Sequence, residues 1–235
     1  MNRSVKSFLL EALNFDLSGL RILEVGSRQM LGQENWSNLR PFLNCKEFIG
    51  MDYIDGPGVD IVMDVHQMNF MDKFDIVICA EVIEHVLNPF VAIEQIHGVL
   101  KSDGILLLTA PMKLEIHGSP YDYWRYTPQG FDVLLTKYNY KYITFAGSSI
   151  FPLTICAVAS NTQLNDIIKK NIFNWELKNK KVLKTNKLRN ILVFNFVPPI
   201  FWGSHYEFWL RGGSKSFISF IKLLIPNVMR LKWKN

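Results

Sequence analysis

Short apolar runs separated by polar segments occupy residues 20–110, and this pattern predicts a series of buried parallel strands. The runs are 21–25, 48–51, 59–63, 74–79 and 105–109. Such runs are typical of strands that a sheet buries on both faces. Asn88-Pro89 is a helix-start signal, and Lys101–Gly104 is a stop signal before the fifth strand. The order predicts an α/β, Rossmann-like doubly wound sheet that binds its ligand at the carboxyl ends of the strands.

Further elements flank this series on both sides. An amphipathic helix is predicted over Ser4–Leu13. Thr127-Pro128 repeats the helix-start signal and predicts a helix through Lys137. Lys141–Phe145 and Thr154–Ser160 are predicted to form a final pair of strands.

Acidic residues stand at the ends of the first three strands. Glu24 is followed by Gly26, and a glycine allows the backbone to approach a ligand closely. A carboxylate at this edge can hold a cationic amino group. Asp52, just past the second strand, can accept hydrogen bonds from both hydroxyls of a ribose. Asp64 follows the third strand.

The segments RILEVGSR, FIGMDYIDG, DIVMDVHQM and FDIVICAEVIEHV together resemble the class I S-adenosylmethionine (SAM)-dependent methyltransferases. The resemblance covers residues 20–160 and is to the small-molecule type with an E-x-x-E-H helix. It implies a seven-stranded, mostly parallel sheet with an antiparallel last strand. It also implies that SAM is bound and S-adenosylhomocysteine (SAH) is released. The implied cofactor contacts are Glu24, Gly26, Ser27, Arg28, Asp52, Tyr53, Asp64, Val65, Ala80 and Glu81.

The loop after the first strand departs from the family pattern, which is acidic-x-Gly-x-Gly-x-Gly. Arg28 stands where the second glycine is expected, and the third glycine is also missing. A loop of this kind does not cradle a pyrophosphate, so NAD and FAD are disfavoured, whereas SAM carries no phosphate. The alternative interpretation is a doubly wound fold whose acids only terminate strands.

Two segments are expected to form the reaction site. Glu81 and His85 are four residues apart and would share one face of a helical turn after the fourth strand. The string HGSPYDYWRYT follows the fifth strand and resembles one subset of the family. Its aromatic rings suit a substrate pocket, and the predicted substrate contacts are Tyr121, Tyr123, Trp124 and Arg125. The alternative for Glu81 and His85 is an ordinary surface pair. The alternative for the aromatic string is a loop that only covers the end of the sheet.

Candidate catalytic groups follow from the chemistry of a hydroxyl acceptor, whose proton must be removed. His117 and His85 are the candidate general bases, because imidazole titrates near neutral pH. Arg125 could hold an acidic acceptor group with its planar fork. Three isolated cysteines, Cys45, Cys79 and Cys156, lack metal-ligand spacing and disulfide pairing. We therefore expect a metal-independent enzyme in a reducing cytoplasm.

Charge divides the chain near residue 161, which predicts a methyltransferase domain over 1–160 and a basic, aromatic-rich extension over 161–235. The first part holds 12 Lys and Arg against 18 Asp and Glu, and the second holds 14 against 3. Three interpretations of the extension stay open: a lid or homodimer surface, an interfacial membrane anchor, or a nucleic-acid contact. The acidic first part and the absence of a recognised RNA-binding signature disfavour nucleic acid.

The sequence thus favours methyl transfer from SAM to a small-molecule or glycan-type acceptor, with oxygen as the expected acceptor atom. One alternative is an RNA methyltransferase that uses the basic extension. Another is a non-catalytic SAM-binding module or a peripheral membrane or assembly protein.

Overall fold

A computed structural model describes residues 2–29, 32, 37–118 and 121–181. The strands are β1 Arg21–Val25, β2 Glu47–Asp52, β3 Ile61–Val62, β4 Phe74–Ala80, β5 Leu100–Pro111, β6 Tyr140–Ser148, β7 Pro152–Ser160 and β8 Lys180–Lys181. The α-helices are α1 Arg3–Ala12, α2 Pro89–Val99, α3 Pro128–Leu134 and α4 Asp166–Asn179. Short 3₁₀ helices occur at Arg40–Phe42, Val65–Gln67 and Ile83–His85.

The strands form one mixed sheet in the order β3-β2-β1-β4-β5-β7-β6, with the two-residue β8 added at the β6 edge. Strands β1 to β5 pair in parallel, and β7 runs antiparallel to both β5 and β6. The chain leaves β1 toward β2 on one side, while β4 lies on the other side of β1. A ligand crevice opens at such a reversal of strand order. The predicted fold class is confirmed.

Successive residues of each strand face opposite layers, and this gives the sheet two apolar cores. Leu23 of β1 packs into the core that holds α2 and α3, through residues such as Ile96 and Phe131. Ile22 packs into the other core, which α1 and α4 cover. In that second core the rings of Phe8 and Trp175 meet edge to face at a centroid distance of 5.2 Å. The sheet is thus packed between α2 and α3 on one face and α1 and α4 on the other.

Several predicted boundaries shift in the structure. Strand β5 begins at Leu100 rather than residue 105, because Leu100 already pairs with Phe74 of β4. The predicted stop segment Lys101–Gly104 lies in a register shift, and regular pairing with β4 resumes at Ile105. Helix α3 ends at Leu134 instead of Lys137. The third strand is reduced to Ile61–Val62. Side-chain caps from Asn88 and Thr127 begin α2 and α3, as the start signals predicted.

Some residues beyond 160 pack against the domain that contains the sheet. Helix α4 packs against α1, and Trp175 Nε1 donates a hydrogen bond to Ser7 Oγ at 2.9 Å. Residues 182–235 lie outside the described residues, so the division at residue 161 stays a prediction. Within the described part of the chain, no helix has the length and apolar character needed to cross a membrane.

Candidate active site

The carboxyl ends of β1, β2, β3 and β4 lie side by side, and the loops that leave them carry the predicted cofactor residues. The loop after β1 turns over the end of β2, because the amides of Gly26 and Ser27 both donate to the Met51 carbonyl, at 2.8 and 3.1 Å. Asp52 stands one residue beyond that carbonyl. The fold therefore brings the loop of β1 and the acid of β2 to one place.

Gly26 occupies a position that no other residue fits. Its φ is +76°, in the left-handed region that favours glycine. A Cβ there would lie 2.1 Å from Val82 Cγ2 in the segment after β4. The loop of β1 and the segment after β4 therefore approach each other in van der Waals contact across the crevice.

Glu24 supplies a carboxyl group near the carboxyl end of β1, one of the strands that border this crevice. Burial raises its pKa to about 8, opposed by the charge of Arg40. A neutral carboxyl in this place becomes a carboxylate when a cation approaches, since an opposite charge lowers its pKa. The site is thus suited to a ligand with a cationic amino group.

Asp52 is buried and accepts two backbone hydrogen bonds, from Arg28 N at 3.2 Å and from Ile54 N at 3.1 Å. The two bonds fix the carboxylate, which has further lone pairs for a ligand. The Arg28 side chain does not fill the crevice: it lies against Gly56, where a Cβ would be 3.0 Å from its Nε. The Arg28 side chain, which replaces the expected glycine, is therefore accommodated beside the loop that contains Gly56.

The remaining predicted cofactor residues stand nearby in sequence but differ in exposure. Tyr53 is exposed and Val65 is buried. Asp64 caps the 3₁₀ helix Val65–Gln67 and accepts from His66 N at 2.9 Å, and this backbone bond lowers its pKa. His66 Nε2 in turn accepts from Asn88 N at 3.3 Å, which links the β3 loop to the start of α2.

The turn after β4 differs from the predicted helical pair. Glu81 has a φ of +56° and lies outside the 3₁₀ helix Ile83–His85, so Glu81 and His85 do not share a helical face. Instead, Thr109 Oγ1 donates to Glu81 Oε1 at 3.1 Å. Burial raises the pKa of Glu81. The non-glycine left-handed backbone is strained, and such strain is concentrated at functional sites.

The aromatic loop, defined as Tyr121–Tyr126, is held against the turn that contains Ile83–His85. Tyr123 N and Trp124 N donate to the Glu84 carbonyl at 2.8 and 3.1 Å. Trp124 Nε1 donates to Val86 O at 2.9 Å, and Tyr126 OH donates to Ile83 O at 3.2 Å.

The rings of Tyr121 and Tyr123 stack, and both side chains remain exposed. The loop therefore offers aromatic surface beside the turn after β4.

Arg125 is occupied inside its own loop. Its Nη1 and Nη2 donate to the two carboxylate oxygens of Asp122 at 2.6 and 2.7 Å. Its remaining donors reach the carbonyls of Leu114, Glu115 and Trp124. The hydrogen bonds from Arg125 hold the pKa of Asp122 well below its usual range. The structure thus shows Arg125 organising the loop, and its role with an acidic acceptor stays a prediction.

His85 and His117 come together, and their common neighbour is Glu84, a member of the E-x-x-E-H motif to which the sequence assigned no role. The two rings meet edge to face at a centroid distance of 4.7 Å. His85 Nε2 is 3.8 Å and His117 Nε2 is 3.9 Å from Glu84 Oε1. Burial, followed by the nearby Glu81, raises the pKa of Glu84 well above its usual value. The aromatic loop packs on this turn through its amides at the Glu84 carbonyl, and the pattern of strands and helices does not predict that contact.

The arrangement fits SAM on three observations. The crevice needs Gly26 without a Cβ, Glu24 is poised to receive a cation, and Asp52 is fixed where a ribose acid is required. These residues belong to β1, β2 and the loop after β1, and the turn after β4 forms another wall of the crevice.

Comparison with known proteins agrees with this fit. Residues 41–108 match the family model described as "Methyltransferase domain". A 51-residue segment is 39% identical to the ubiquinone biosynthesis O-methyltransferase of Glaesserella parasuis serovar 5 (strain SH0165). That match covers 22% of this chain and 22% of the relative, so the chain spans about a fifth of the length of the curated relative that it matches.

Two solved structures share the fold. The 1,6-didemethyltoxoflavin-N1-methyltransferase of Burkholderia thailandensis, with bound 1,6-didemethyltoxoflavin and SAH, has a TM-score of 0.50 at 14% identity. That match covers 68% of this chain and 79% of the other. The CurJ carbon methyltransferase has a TM-score of 0.51 at 16% identity, over 67% of this chain and 54% of the other.

The fold and the family match together define the class. The described part of the chain has the fold of these methyltransferases, and residues 41–108 match the methyltransferase-domain family, in agreement with the resemblance of the sequence motifs.

Proposed function

We propose that this chain transfers the methyl group of SAM to a hydroxyl oxygen of a small-molecule or glycan-type acceptor and releases SAH. The observation that carries the proposal is the convergence of Glu24, Gly26 and Asp52 at the point where strand order reverses. The class of the domain supports the same donor.

The donor would be held by residues of three strands. Glu24 would pair with the cationic amino group, and Asp52 would accept from the ribose hydroxyls. Tyr53, Asp64 and Val65 would surround the base, while Ala80 and Glu81 would border the methyl group. SAM supplies a methyl carbon attached to a sulfonium, which is a good leaving group, so the chain mainly has to align the acceptor. Alignment of this kind supplies roughly 7–11 kcal/mol in favourable cases.

The acceptor would lie on the aromatic loop. The exposed rings of Tyr121, Tyr123 and Trp124 offer flat apolar surface next to the turn after β4. His117 and His85 reach the same place from two loops, and burial lowers the pKa of His85, which keeps its imidazole neutral near pH 7. A neutral imidazole can accept the acceptor's hydroxyl proton.

The choice of oxygen rests on the chemistry of the site and on one partial relative. Two histidines beside a carboxyl suit an acceptor that must lose a proton. The matched relative is named as an O-methyltransferase, whereas the two structural neighbours are named as N1- and carbon methyltransferases. Fold likeness therefore favours none of the three acceptor atoms.

The test is methyl transfer by the full chain from isotope-labelled SAM to a panel of phenols, sugar alcohols and amines. We expect label in hydroxyl acceptors and SAH in equal amount. His117→Ala and His85→Ala should reduce this turnover. His97→Ala is the matched control, because His97 lies in α2 and contacts Asn161, which follows β7. Transfer only to amines, or full turnover in both active-site variants, would contradict the proposal.

We further propose a cytoplasmic enzyme that contacts anionic membrane through residues 161–235. The support is composition: 14 Lys and Arg against 3 Asp and Glu, interspersed with aromatic residues. Sedimentation of the full chain with vesicles of phosphatidylcholine, with and without phosphatidylserine, tests this. Binding that requires phosphatidylserine and weakens with salt is expected, and equal recovery in the supernatant with both vesicles would contradict it.

A further inference from the structure

We infer that His66 is a positioning residue: it holds the Asp64 carboxylate toward the 6-amino group of the donor's adenine and thereby sets the selectivity for an amino-bearing base. This role rests on the proposed function, which places Asp64 beside the base. His66 itself lies outside the predicted set of cofactor contacts.

Asp64 lies at the same edge of the sheet as the proposed ribose acid. Strand β3 pairs in parallel with β2, with Val62 opposite Asp52, and Met63 N donates to the Asp52 carbonyl at 2.9 Å. Asp64 is the next residue after Met63, and its side chain is 54% exposed. An adenine attached to a ribose at Asp52 would therefore have an accessible carboxylate beside it.

One oxygen of this carboxylate is fixed by His66. The backbone amide of His66 donates to Asp64 Oδ1 at 2.9 Å, and His66 Nδ1 lies 2.7 Å from the same oxygen. Neither contact uses Oδ2, whose lone pairs suit a donor on the ligand. The hydrogen bond from the amide lowers the pKa of Asp64, so the group is an ionised acceptor at neutral pH. Adenine carries one amino group, and that group is a donor of the required kind.

The tautomer of His66 follows from its second ring contact. Asn88 N lies 3.3 Å from His66 Nε2, and a backbone N–H only donates, so Nε2 is the acceptor. The ring proton is therefore on Nδ1, which donates it to Asp64 Oδ1. The neutral imidazole thus connects the carboxylate to the segment that begins α2.

The contact with Asn88 anchors the ring to the start of that helix. Asn88 Oδ1 accepts from Val91 N at 3.3 Å and caps α2. The side chain of His66 is only 26% exposed, so most of the ring is packed. Asp64 is thus tied through His66 to a helix that packs on the sheet. A side chain that is fixed beforehand binds a ligand more tightly, because less conformational entropy is lost on binding.

A substitution at His66 removes only the ring contacts. The bond from its backbone amide to Asp64 does not involve the ring, so the 3₁₀ helix Val65–Gln67 keeps its cap in every variant. Without the ring, the carboxylate loses one of its two contacts and gains freedom to rotate. We therefore expect variants that fold and that differ in the orientation of Asp64.

The experiment is calorimetric titration of the full chain with SAH and with 6-deamino-SAH, in which hydrogen replaces the amino group. The ratio of the two dissociation constants measures recognition of that group. A hydrogen bond to a charged group corresponds to a factor of roughly 10 to 150, so the unaltered chain should prefer SAH by about this factor. Asp64→Asn should lose most of the preference, because an amide nitrogen then faces the ligand.

Two substitutions at His66 separate its two ring contacts. Asn places an amide N–H near the position of Nδ1, whereas Gln places an amide oxygen near that of Nε2. His66→Asn should therefore retain most of the preference for SAH. His66→Gln, which keeps only the contact with Asn88, should reduce the preference by roughly 2- to 12-fold, the factor for ordering one side chain. The matched control, His97→Gln, should leave it unchanged, because His97 contacts Asn161, which follows β7.

A purely structural role of His66 would weaken the binding of both ligands by the same factor and leave the preference unchanged. That result in His66→Gln, or an equal loss of preference in His66→Asn and His66→Gln, would overturn the inference. In the Asp64→Asn background, His66→Gln should cause no further loss of preference, since His66 acts through Asp64. A further loss there would also overturn it.

The titration of the unaltered chain with SAH separates this inference from the proposed function. If SAH binds but the preference does not respond to His66→Gln, only the inference is wrong. If SAH does not bind the unaltered chain, the proposed function fails, and the role of His66 fails with it.

Discussion

At the scale of single residues, Asp52 carries the recognition of the donor. Two backbone amides hold its carboxylate, and a ribose would supply its remaining partners. Hydrogen bonds to a charged group contribute about 1.5–3 kcal/mol, so Asp52→Asn should weaken SAH binding by roughly 10- to 150-fold. Calorimetric titration measures this. Asp103→Asn, at an exposed position on β5, is the control, and an unchanged SAH affinity in Asp52→Asn would contradict the assignment.

Some site residues follow from the sequence pattern, and others depend on contacts between distant loops. Glu24, Gly26 and Asp52 could be predicted, because parallel strands bring their carboxyl ends to one edge and the chemistry of a ligand demands acids and a glycine there. Glu84 belongs to the E-x-x-E-H motif, but its burial beside His85 and His117 could not be predicted, because strand and helix patterns do not place the loop after β5. The helical spacing assigned to Glu81 and His85 was wrong, because Glu81 adopts a left-handed backbone that no periodicity reveals.

At the scale of elements, the close approach of the β1 loop to the turn after β4 can be tested with two glycines. Gly26→Ala combines an unfavourable φ with a Cβ 2.1 Å from Val82, so we expect a lower melting temperature and loss of SAH binding. Gly98→Ala lies in α2, where a Cβ meets nothing within 4 Å. It should raise stability by about 0.5–1 kcal/mol. Thermal unfolding with and without SAH measures both, and equal behaviour of the two variants would contradict this description of the crevice.

The aromatic loop is a second element whose role can be separated from donor binding. Trp124→Phe keeps the ring surface but removes the hydrogen bond from Nε1 to Val86 O. We expect a higher KM for the acceptor and an unchanged SAH affinity, because the donor residues lie elsewhere. Tyr140→Phe, an exposed ring at the opposite edge of the sheet, serves as the control. A weaker SAH affinity with an unchanged acceptor KM would reverse the assignment.

Among the elements, the succession of strands along the chain followed from the apolar runs and the polar segments between them, whereas several strand and helix ends did not. Lys101–Gly104 has the composition of a turn and forms an irregularity in the pairing of β5 with β4, between the pairs Phe74–Leu100 and Ile76–Ile105. The turn composition therefore marked a bulge inside β5 and not the start of the strand.

At the scale of the whole molecule, the partly buried Glu24 makes stability depend on pH. Its pKa is about 8 in the folded chain and 4.5 as the ordinary value. Between these values the folded chain keeps a proton that the unfolded chain has lost, so the free energy of unfolding falls as pH rises through this window. Glu24→Gln should reduce that fall, whereas the exposed Glu115→Gln should not. Urea unfolding at about pH 5.5 and about pH 8 measures the difference. If the free energy of unfolding changed equally with pH in Glu24→Gln and in the unaltered chain, the raised pKa of Glu24 would be contradicted.

The central claim is that the whole chain binds the methyl donor at the reversal of strand order, and thermal unfolding of the full chain with SAM, SAH and NAD tests it most directly. A ligand at about a hundred times its dissociation constant adds roughly 2.7 kcal/mol of stability. For a domain of this size the melting temperature should then rise by about 5–10 °C. We predict this rise with SAM and SAH and none with NAD. No rise with SAM or SAH, or an equal rise with NAD, would contradict the account.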